Sequence, residues 1–272
     1  MNIIPDAIVQ GDNLEWLPLI PDESIDMCYI DPPFCTNRDF IEFNDKFLSI
    51  HSYIEWMRPR IELIHKKLKK TGSIFLHCDW HASHRLRCLL DDVFGEKNLK
   101  NEIIWSYGAK ATPQKNMFPK KHDTIFFYTK SSKYYFRPIM VEYSEASLRE
   151  RATRYKFFDE SGHYRLTTRR KTNGEKYRAK VYLNDGVPET DVWNIPIINA
   201  TSNERLGYPT QKPEALIKRI IECSTNEGDV VLDCFAGGGT TAKVAKDLNR
   251  RYIVGDISAN AVNLTKKRLH AE

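Results

Sequence analysis

The sequence lacks the features of several classes of protein. No apolar run reaches the roughly 18 residues that a membrane-spanning helix needs. The start, MNIIPDAIVQGD, has neither the basic region nor the long apolar region of a secretion signal. The six cysteines include no C-x-x-C pair, so no spacing supports a zinc site or a disulfide framework. We therefore expect a cytoplasmic protein with reduced thiols, no metal and no membrane partner.

Acidic residues are scarce in one part of the chain, although the net charge of the whole is only +5. Residues 110–180 contain 18 Lys and Arg against 7 Asp and Glu, a net charge of +11 that leaves −6 for the rest. Aromatic residues lie among these cations, as in RYKFF and HYRLTTRRK. A basic and aromatic surface of this kind indicates a polyanionic partner, and nucleic acid is the expected one.

Strand and helix patterns alternate over most of the 272 residues. The runs SIDMCYI, GSIFLHCD, DVVLDCF and RYIVGDI are typical of strands, and each is followed or preceded by a helical pattern. This alternation predicts an α/β fold with a mainly parallel sheet and helices on both faces. Pro59 should kink or divide the helix that starts near Tyr53. The alternation stops at 131–204, so we expect an insertion there, between 1–130 and 205–272 of one domain.

A glycine turn follows the strand DVVLDCF. Its spacing is G-x-G-x-x-A, formed by Gly237, Gly239 and Ala242, and Asp256 lies 19 residues after Gly237 at the end of the next strand. Glycines allow a sharp turn close to a ligand, and the helix N-terminus adds free N–H groups. The acid can accept hydrogen bonds from both ribose hydroxyls. A tight turn without a ligand is the alternative, but the placed acid favours a nucleoside-containing cofactor.

The stretch CYIDPPFCTN contains a second unusual turn. Tyr29 and Ile30 end an apolar strand, and the prolines of Asp31-Pro32-Pro33-Phe34 forbid both a helix and a sheet ladder. The result is a rigid corner that carries a carboxylate, a free carbonyl and an aromatic ring. Taken alone, this corner is explained as a strand terminator.

The two motifs together resemble the amino-methylating DNA methyltransferases. DPPF followed much later by FAGGGTT, the catalytic motif before the cofactor motif, is the order of their β class. GSIFLHCDWHASHRLRCLLDDVFG and GYPTQKPEALIKRII also resemble stretches of that family. The resemblance implies a Rossmann-like, mostly parallel sheet with a reversed edge strand, and S-adenosylmethionine as the methyl donor. It places 1–130 as the catalytic part, 205–272 as the cofactor-binding part and 131–204 as the target-recognition region.

The resemblance also implies roles for single residues around the donor. Asp12 would lie near its adenine, Asp256 at its ribose, and Thr210 and Lys212 of PTQKP near its methionine carboxylate, where a cation fits. The complete expected donor site is Asp12, Thr210, Lys212, Asp233, Phe235, Ala236, Gly237, Gly239, Thr240, Thr241 and Asp256. Cys234 and Gly238 stand where the family often has Pro and Ser, and the other glycines of the turn are kept.

The proline corner then gains a chemical function. An exocyclic amine on a base is a poor nucleophile until its lone pair leaves conjugation with the ring. The Asp31 carboxylate and the Pro32 carbonyl can accept its two hydrogens, Pro33 stiffens the corner, and the Phe34 ring can stack on a base flipped from the duplex. We therefore predict Asp31, Pro32, Pro33 and Phe34 as the catalytic residues. Cys35 is not needed, because this reaction requires no thiolate nucleophile.

Histidines and cysteines in HCDWHASH superficially resemble a metal cluster. His77 and Asp79 follow a strand, whereas His81 and His84 enter a helix. A buried histidine with satisfied hydrogen bonds, or a cation that faces DNA, is the simpler interpretation.

The basic segment is expected to contact DNA at two places. GAKATPQKNMFPKKHD is broken by glycine and proline, so we expect a mobile loop there whose lysines bind phosphates: Lys110, Lys115, Lys120 and Lys121. RLTTRRKTNGEKYRAKVYL predicts a hairpin that turns at Asn173-Gly174, with groove contacts from Arg169, Arg170 and Lys171. Contacts to the DNA backbone alone are equally compatible with this pattern.

The sequence therefore predicts a site-specific DNA adenine-N6 methyltransferase that acts on double-stranded DNA. Cytosine-N4 methylation requires the same corner, and the acid before the prolines is the feature that favours adenine within this family. The basic insertion disfavours methylation of RNA or of protein glutamine, and the complete set of motifs disfavours a catalytically inactive nucleic-acid-binding module. A cognate restriction endonuclease and a homodimer are partners that such enzymes have. The recognised DNA sequence is left open.

Overall fold

The computed structural model describes residues 2–36, 38, 45–108, 112–143 and 145–270. The chain divides into two compact units, a larger one formed by Met1–Arg137 with Asp191–Glu272 and a smaller one formed by Pro138–Thr190. No helix in these described ranges combines the length and the apolar character needed to cross a membrane.

Strands and helices follow one another in the order that the sequence patterns predict. The strands are β1 (Ala7–Gln10), β2 (Ile25–Ile30), β3 (Leu68–Cys78), β4 (Leu99–Ser106), β5 (His122–Thr129), β6 (Met140–Val141), β7 (Phe157–Asp159), β8 (Gly162–Arg170), β9 (Lys176–Tyr182), β10 (Val187–Pro188), β11 (Val192–Asn194), β12 (Val230–Asp233) and β13 (Arg251–Asp256). The helices are α1 (Asn13–Trp16), α2 (Ile50–Lys67), α3 (Ser83–Phe94), α4 (Glu145–Ala152), α5 (Glu214–Ser224), α6 (Thr240–Asp247) and α7 (Ala259–His270).

The larger unit contains a sheet in the order β1-β13-β12-β2-β3-β5-β4-β11. Neighbouring strands are parallel except around β5, which is antiparallel to both β3 and β4. The expected reversed strand is therefore present, but it lies inside the sheet and not at its edge. The edge is occupied by β11, which pairs with β4 from Val192 to Asn194.

Central strands are apolar on both faces, as a covered parallel sheet requires. In β2, the side chains from Met27 to Ile30 are all buried. Helix α2 packs on α3, whereas α6 packs on both α5 and α7, so the helices form two layers. Crossovers between parallel strands are right-handed in nearly all proteins, so crossovers that lead in opposite directions along the sheet are expected to place the two layers on opposite faces.

Helix α2 continues through Pro59 without a break. The sequence predicts that Pro59 kinks or divides this helix, and of these two effects the division does not occur. Proline removes one backbone hydrogen bond, but the helix buries Met57, Ile61 and Ile64 completely, and this apolar face keeps the next turn in place.

The order of the strands creates a switch point between β12 and β2. From β12 the chain continues outward through α6 to β13, and from β2 it continues the other way through α2 to β3. The two strands are neighbours, with Leu232 beside Cys28 in the register. Loops that leave such a point in opposite directions open a crevice at the carboxyl ends of the strands, and ligands bind there.

The smaller unit contains the antiparallel sheet β7-β8-β9 and the short pair β6-β10. The predicted hairpin turn is confirmed, since β8 and β9 are joined at Asn173-Gly174 and Gly174 has a positive φ of 84°. This unit is narrower than the segment 131–204 marked from the sequence. Residues near both ends of that segment belong to the larger unit, where the Arg137 N–H donates to the Cys223 carbonyl at 2.8 Å and β11 joins the sheet.

Candidate active site

A cavity of about 1050 Å³ opens at the switch point, and all of its lining residues belong to the larger unit. Both sequence motifs line it. The predicted residues in its wall are Asp12, Asp31, Pro32, Pro33, Phe34, Thr210, Lys212, Asp233, Phe235, Ala236, Gly237, Thr240, Thr241 and Asp256, together with Lys120. The proline corner at the end of β2 and the glycine turn at the end of β12 therefore share one cavity, as a methyl transfer between them requires.

Asp31 has one carboxylate oxygen bound and one free. Its Oδ2 accepts a hydrogen bond from Lys212 Nζ. Its Oδ1 is buried without a hydrogen-bond partner in the described ranges, and His77 Nδ1 lies 3.5 Å from it. Among the described residues, no hydrogen bond reaches the carbonyl of Pro32 either. The corner thus carries two acceptors that have no hydrogen-bond partner among those residues, which is the number that a primary amine needs.

A buried hydrogen-bond chain lies behind Asp31. His77 is 0% exposed; its Nδ1 is 3.0 Å from the Tyr29 hydroxyl and its Nε2 is 3.2 Å from Asp123 Oδ2. The Tyr107 hydroxyl donates to Asp123 Oδ1 at 3.2 Å. Burial alone would raise the pKa of Asp123, but its hydrogen bond and charge interaction with His77 lower that pKa below the usual value. Asp123 is therefore an anion that fixes the imidazole next to the proline corner.

A second buried carboxylate holds the backbone just after the corner. Asp45 is 2% exposed, and it accepts hydrogen bonds from the N–H groups of Cys35 at 2.7 Å and Thr36 at 3.1 Å. Cys35 has a positive φ of 59°, a conformation that costs energy for a residue with a side chain. Burial raises the pKa of the Cys35 thiol, so it is not an activated nucleophile. Asp45 holds this strained backbone in place.

The glycine turn is shaped by its neighbours. Gly237 and Gly239 have positive φ values of 48° and 74°. A Cβ on Gly239 would lie 2.5 Å from Thr265 Oγ1, so the approach of α7 leaves no room for a side chain. The Gly237 N–H donates to Asp256 Oδ2 at 2.8 Å, which ties the turn to the end of β13. Burial raises the pKa of Asp256.

Asp233 anchors the same turn from inside. It is 2% exposed and accepts hydrogen bonds from Thr241 Oγ1 at 2.5 Å and from the Phe235 N–H at 2.9 Å. Burial raises the pKa of Asp233 to about 7. Asp233 connects β12 to the first turn of α6, so in this structure its hydrogen bonds stabilise the fold of the turn.

Asp12 caps α1 and forms an ion pair that the sequence did not reveal. It accepts from the Leu14 N–H at 2.9 Å and from Arg60 Nη2 at 2.9 and 3.0 Å. Arg60 is 3% exposed, and its guanidinium lies 3.8 Å from the centroid of the Trp56 ring. Burial lowers the pKa of Arg60. Arg60 and Trp56 both line the cavity, so this pair forms the wall beyond Asp12.

Lys212 contacts the proline corner in this structure. Its Nζ contacts Asp31 and donates to the Thr210 carbonyl at 3.1 Å, and it is 5.4 Å from the centroid of the Phe34 ring. Lys212 therefore contributes to the corner in this structure. Its expected role at the methionine carboxylate stays a prediction, as does that of Thr210.

The predicted phosphate contacts lie between β4 and β5. Lys115 and Lys120 are exposed, and Lys120 Nζ lies 3.8 Å from the centroid of the Trp80 ring at the rim of the cavity. Lys121 follows directly, and its carbonyl accepts from the Tyr107 N–H at 3.4 Å. Lys110 lies outside the described residues.

The predicted groove contacts do not share one face of the hairpin. Residues paired across β8 and β9 point to the same face, and successive residues alternate. Arg170 shares its face with Lys176 and Arg178, whereas Arg169 shares the opposite face with Tyr177. Lys171 is in the turn and forms an ion pair with Glu175 at 2.9 Å. Arg178, which the sequence did not single out, lies on the face of Arg170.

The histidines have separate partners. His81 Nδ1 is 2.7 Å from Asp79 Oδ2, His84 lies exposed on α3, and His77 belongs to the buried chain described above. In the ranges that the structure describes, no group of three or more His, Cys, Asp or Glu side chains is arranged to hold a metal ion.

Several residues of the site were missed by sequence reasoning: Asp45, Arg60, Trp80, Asp123 and Ile257. Asp123 and Ile257 adjoin strand ends at the cavity, and that position alone could have marked them. Arg60 and Asp45 could not be found in this way, because their partners Asp12 and Cys35 are set by how separate elements pack.

Comparison with known proteins gives a consistent result. A model of the DNA methylase family matches residues 25–267. The chain is 30% identical to the DNA adenine methyltransferase YhdJ of Escherichia coli (strain K12), over 97% of this chain and 82% of that protein. It is also 30% identical to the Type II methyltransferase M.BglII of Bacillus subtilis, over 97% of this chain and 69% of that protein.

Solved structures agree at the level of the fold. The cytosine-N4-specific PvuII DNA methyltransferase superposes with a TM-score of 0.67 at 17% identity, over 98% of this chain and 87% of that one. The complex of M1.HpyAVI with SAM superposes with a TM-score of 0.58 at 19% identity, over 96% and 98% of the two chains.

Proposed function

This chain belongs to the N6/N4 DNA methylase family and is a DNA methyltransferase, and from that premise we propose that it methylates the exocyclic N6 of adenine in double-stranded DNA. The observation that carries the proposal is a pair of acceptors at the proline corner without a hydrogen-bond partner in the part of the chain that the structure describes. They are the buried Asp31 Oδ1 and the Pro32 carbonyl, and their residues line the same cavity as the glycine turn.

S-adenosylmethionine fits the other half of this cavity. The glycine turn presents backbone without side chains, Asp256 and Asp12 supply carboxylates for hydroxyl and amino groups, and Phe235 and Ile257 supply apolar walls for a purine. Arg60 Nη2 forms an ion pair with Asp12 Oδ1 at 2.9 Å. When bound, this cofactor would supply an electrophilic methyl group on a sulfonium.

The chain's own residues prepare the nucleophile. Asp31 Oδ1 and the Pro32 carbonyl would accept the two amino hydrogens and draw the nitrogen lone pair out of conjugation with the base. Lys212 holds the other carboxylate oxygen, and His77 lies behind it, so the acceptor geometry exists before the base arrives. After transfer, the extra proton on nitrogen can pass to Asp31. The Phe34 ring, 5.5 Å from the His77 ring, would stack on the base.

Two observations favour adenine over cytosine. Asp31 is an acid, which within this family accompanies adenine more than cytosine. The relative YhdJ is named a DNA adenine methyltransferase. Cytosine-N4 methylation is the second candidate, because the same corner fits its amine and a structural neighbour has that specificity.

DNA binding is assigned to two basic surfaces. The smaller unit, Pro138–Thr190, would be the target-recognition region, with the exposed cations of the hairpin in the groove, and Lys115, Lys120 and Lys121 would contact phosphates. Several relatives are Type II methyltransferases, which supports a restriction endonuclease as a partner in the cell. A homodimer and a cytoplasmic location stay predictions.

The decisive experiment is to incubate the protein with unmethylated DNA and S-adenosylmethionine and to digest the product to nucleosides. Mass spectrometry should detect N6-methyladenine, and sequencing of the modified positions should give the recognised site. An Asp31→Ala variant is the matched control and should yield none. N4-methylcytosine in place of N6-methyladenine would establish the second candidate, and no modified nucleoside at all would contradict both.

A further inference from the structure

The segment between β4 and β5 carries an apolar tip that the proposed reaction does not yet use. Phe118 is 94% exposed and its neighbour Met117 is 56% exposed. Burial of aromatic surface is favourable, so a ring left in water gains nothing in the free protein. Phe118 and Met117 adjoin in the chain and are both exposed, so this connection presents two apolar side chains that a bound partner could cover.

The tip is held near the mouth of the cavity. The ends of the segment adjoin, because Ser106 pairs with His122 and the Tyr107 N–H donates to the Lys121 carbonyl. Gln114 and Lys120, on both sides of Phe118, line the cavity. Lys120 Nζ is fixed over the Trp80 ring at 3.8 Å. Two residues span at most about 7 Å of chain, so the Phe118 backbone lies within that distance of Lys120.

The local sequence stiffens this tip. Pro119 follows Phe118 directly and restricts its backbone to extended conformations. Phe118 therefore loses less backbone entropy when a partner binds its ring. An exposed aromatic on a stiffened tip suits insertion into a preformed gap better than adaptive contact with a flat surface.

The charges around the tip select the partner. Residues 112–121 contain three lysines and no acid. A second copy of this chain would bring the same positive segment against it, whereas duplex DNA offers phosphates to the lysines and stacked bases to the ring. Aromatic and aliphatic side chains that enter a base stack are a known device of DNA-bending proteins.

We propose that Phe118, supported by Met117, enters the DNA base stack and occupies the space left when the target base moves into the cavity. Phe118 is then a positioning residue that stabilises the extrahelical base and touches no reacting atom. This inference rests on the proposed function, since it needs a base that leaves the duplex. It predicts that Phe118 matters only where the target base must be unpaired and unstacked.

The test compares two substrates that contain the recognised site. One is a matched duplex, and in the other the target base faces an abasic position, so that no pairing opposes its exit. Single-turnover methylation rates are measured for the wild type, Phe118→Ala, Phe118→Leu and Ile4→Ala. Ile4 is 72% exposed and does not line the cavity, so it controls for the loss of an exposed apolar side chain.

We expect Phe118→Ala to slow methylation of the matched duplex about tenfold or more, and methylation of the abasic duplex no more than about twofold. Phe118→Leu should keep most of the wild-type rate, and Ile4→Ala should behave as wild type on both. With 2-aminopurine at the target position, the fluorescence gain on binding should fall for Phe118→Ala.

Two outcomes would overturn the inference. If Phe118→Ala slowed methylation of both duplexes equally, Phe118 would have a role in folding or catalysis. If Phe118→Ala changed neither rate, the ring would be expected to contact a protein partner. Failure of the proposed function is distinct, because the wild type would then methylate neither substrate.

Discussion

Asp31 and Asp233 end neighbouring strands of one sheet, but their surroundings give them different tasks. Asp31 is paired with Lys212 on one oxygen and free on the other, so it can accept a hydrogen bond from a ligand. Asp233 has its oxygens engaged by Thr241 and Phe235 inside the protein. We propose a role in the reaction for Asp31, whereas the contacts of Asp233 hold the glycine turn.

Replacement of Asp31 tests the corner directly. We expect Asp31→Ala to lower the single-turnover rate by about 100-fold or more, because one preorganised acceptor for the developing charge is lost. Cys35→Ser should stay within about threefold of wild type, since the thiol is not a nucleophile in amine methylation. Radiolabelled methyl transfer measures both. The reverse order of activities would refute the acceptor corner.

Asp233 should make stability depend on pH. Its pKa is raised from 3.8 to about 7 in the folded protein, so the folded state holds a proton that the unfolded state releases. Stability from this group is complete below about pH 4 and falls as pH rises towards 7, by an amount on the order of 4 kcal/mol if the full shift is expressed. Asp233→Asn removes this loss, because the amide stays neutral.

Urea unfolding at pH 5 and pH 8 measures the effect. The free energy of unfolding of Asp233→Asn minus that of the wild type should be greater at pH 8 than at pH 5. Asp92→Asn, at an exposed carboxylate paired with Arg58, is the control and should change little. If the free energy of unfolding varied with pH in the same way for the wild type and for Asp233→Asn, this result would contradict the raised pKa of Asp233.

At the scale of elements, the glycine turn depends on how closely α7 approaches it. Gly239→Ala requires a side chain at a positive φ and places its Cβ 2.5 Å from Thr265 Oγ1, whereas a Cβ on Gly238 would meet Tyr208 Cβ at 3.3 Å. We expect Gly239→Ala to destabilise the fold by about 2 kcal/mol or more and Gly238→Ala by less than about 1 kcal/mol.

Thermal unfolding of these two variants, with binding of S-adenosylhomocysteine measured by calorimetry, separates stability from cofactor affinity. Equal destabilisation of both would show that the turn tolerates no Cβ at all. Equal tolerance would show that α7 can move away from it.

The two faces of the hairpin β8–β9 differ in exposure and in charge. The face of Arg170, Lys176 and Arg178 also carries Leu166, which is 39% exposed, whereas Thr167 and Ala179 on the other face are half-buried. In the described part of the chain, no ion pair engages these three cations. Because this face carries three cations without an ion pair in those described residues, we expect it to be the face that contacts DNA.

We expect Arg178→Ala and Arg170→Ala each to weaken DNA binding, by about 1–3 kcal/mol with relaxed sequence preference if the contact is to a base. Arg169→Ala, on the other face, is the matched control and should have a much smaller effect. Fluorescence anisotropy over a range of salt concentrations measures both affinity and salt slope. A larger loss for Arg169→Ala would reverse the assignment of the faces.

At the scale of the whole molecule, the smaller unit has adjacent ends. Met140 pairs with Pro188, and the Glu189 N–H donates to the Ile139 carbonyl at 2.8 Å. A unit whose ends meet can be replaced by a short linker without stretching the chain around it. The larger unit contains the complete cavity wall.

A variant with 140–188 replaced by a short Gly-Ser linker should therefore bind S-adenosylhomocysteine within about threefold of wild type and lose at least about tenfold in affinity for DNA. Calorimetry measures the first and anisotropy the second, with the circular dichroism melting curve as a check of folding. Unchanged DNA affinity would contradict a target-recognition role for this unit.

Much of the architecture was predictable from local patterns. Apolar runs of strand length alternate with helical periods, and the turns around Asp31 and Gly237 depend on proline and glycine, whose backbone limits act within a few residues. The succession of strands and helices along the chain and the hairpin at Asn173-Gly174 agreed with those patterns. Each of these features is set by residues close together in the chain.

Only the tertiary structure decided which side chains meet. Lys212 contacts Asp31 across 181 residues of chain, Arg60 reaches Asp12 across 48, and β11 joins the sheet beyond the reversed strand. These contacts follow from the order in which strands assemble and from how helices pack on them. Sequence periodicity does not indicate that order, because the same pattern marks every strand or helix whatever its neighbours are.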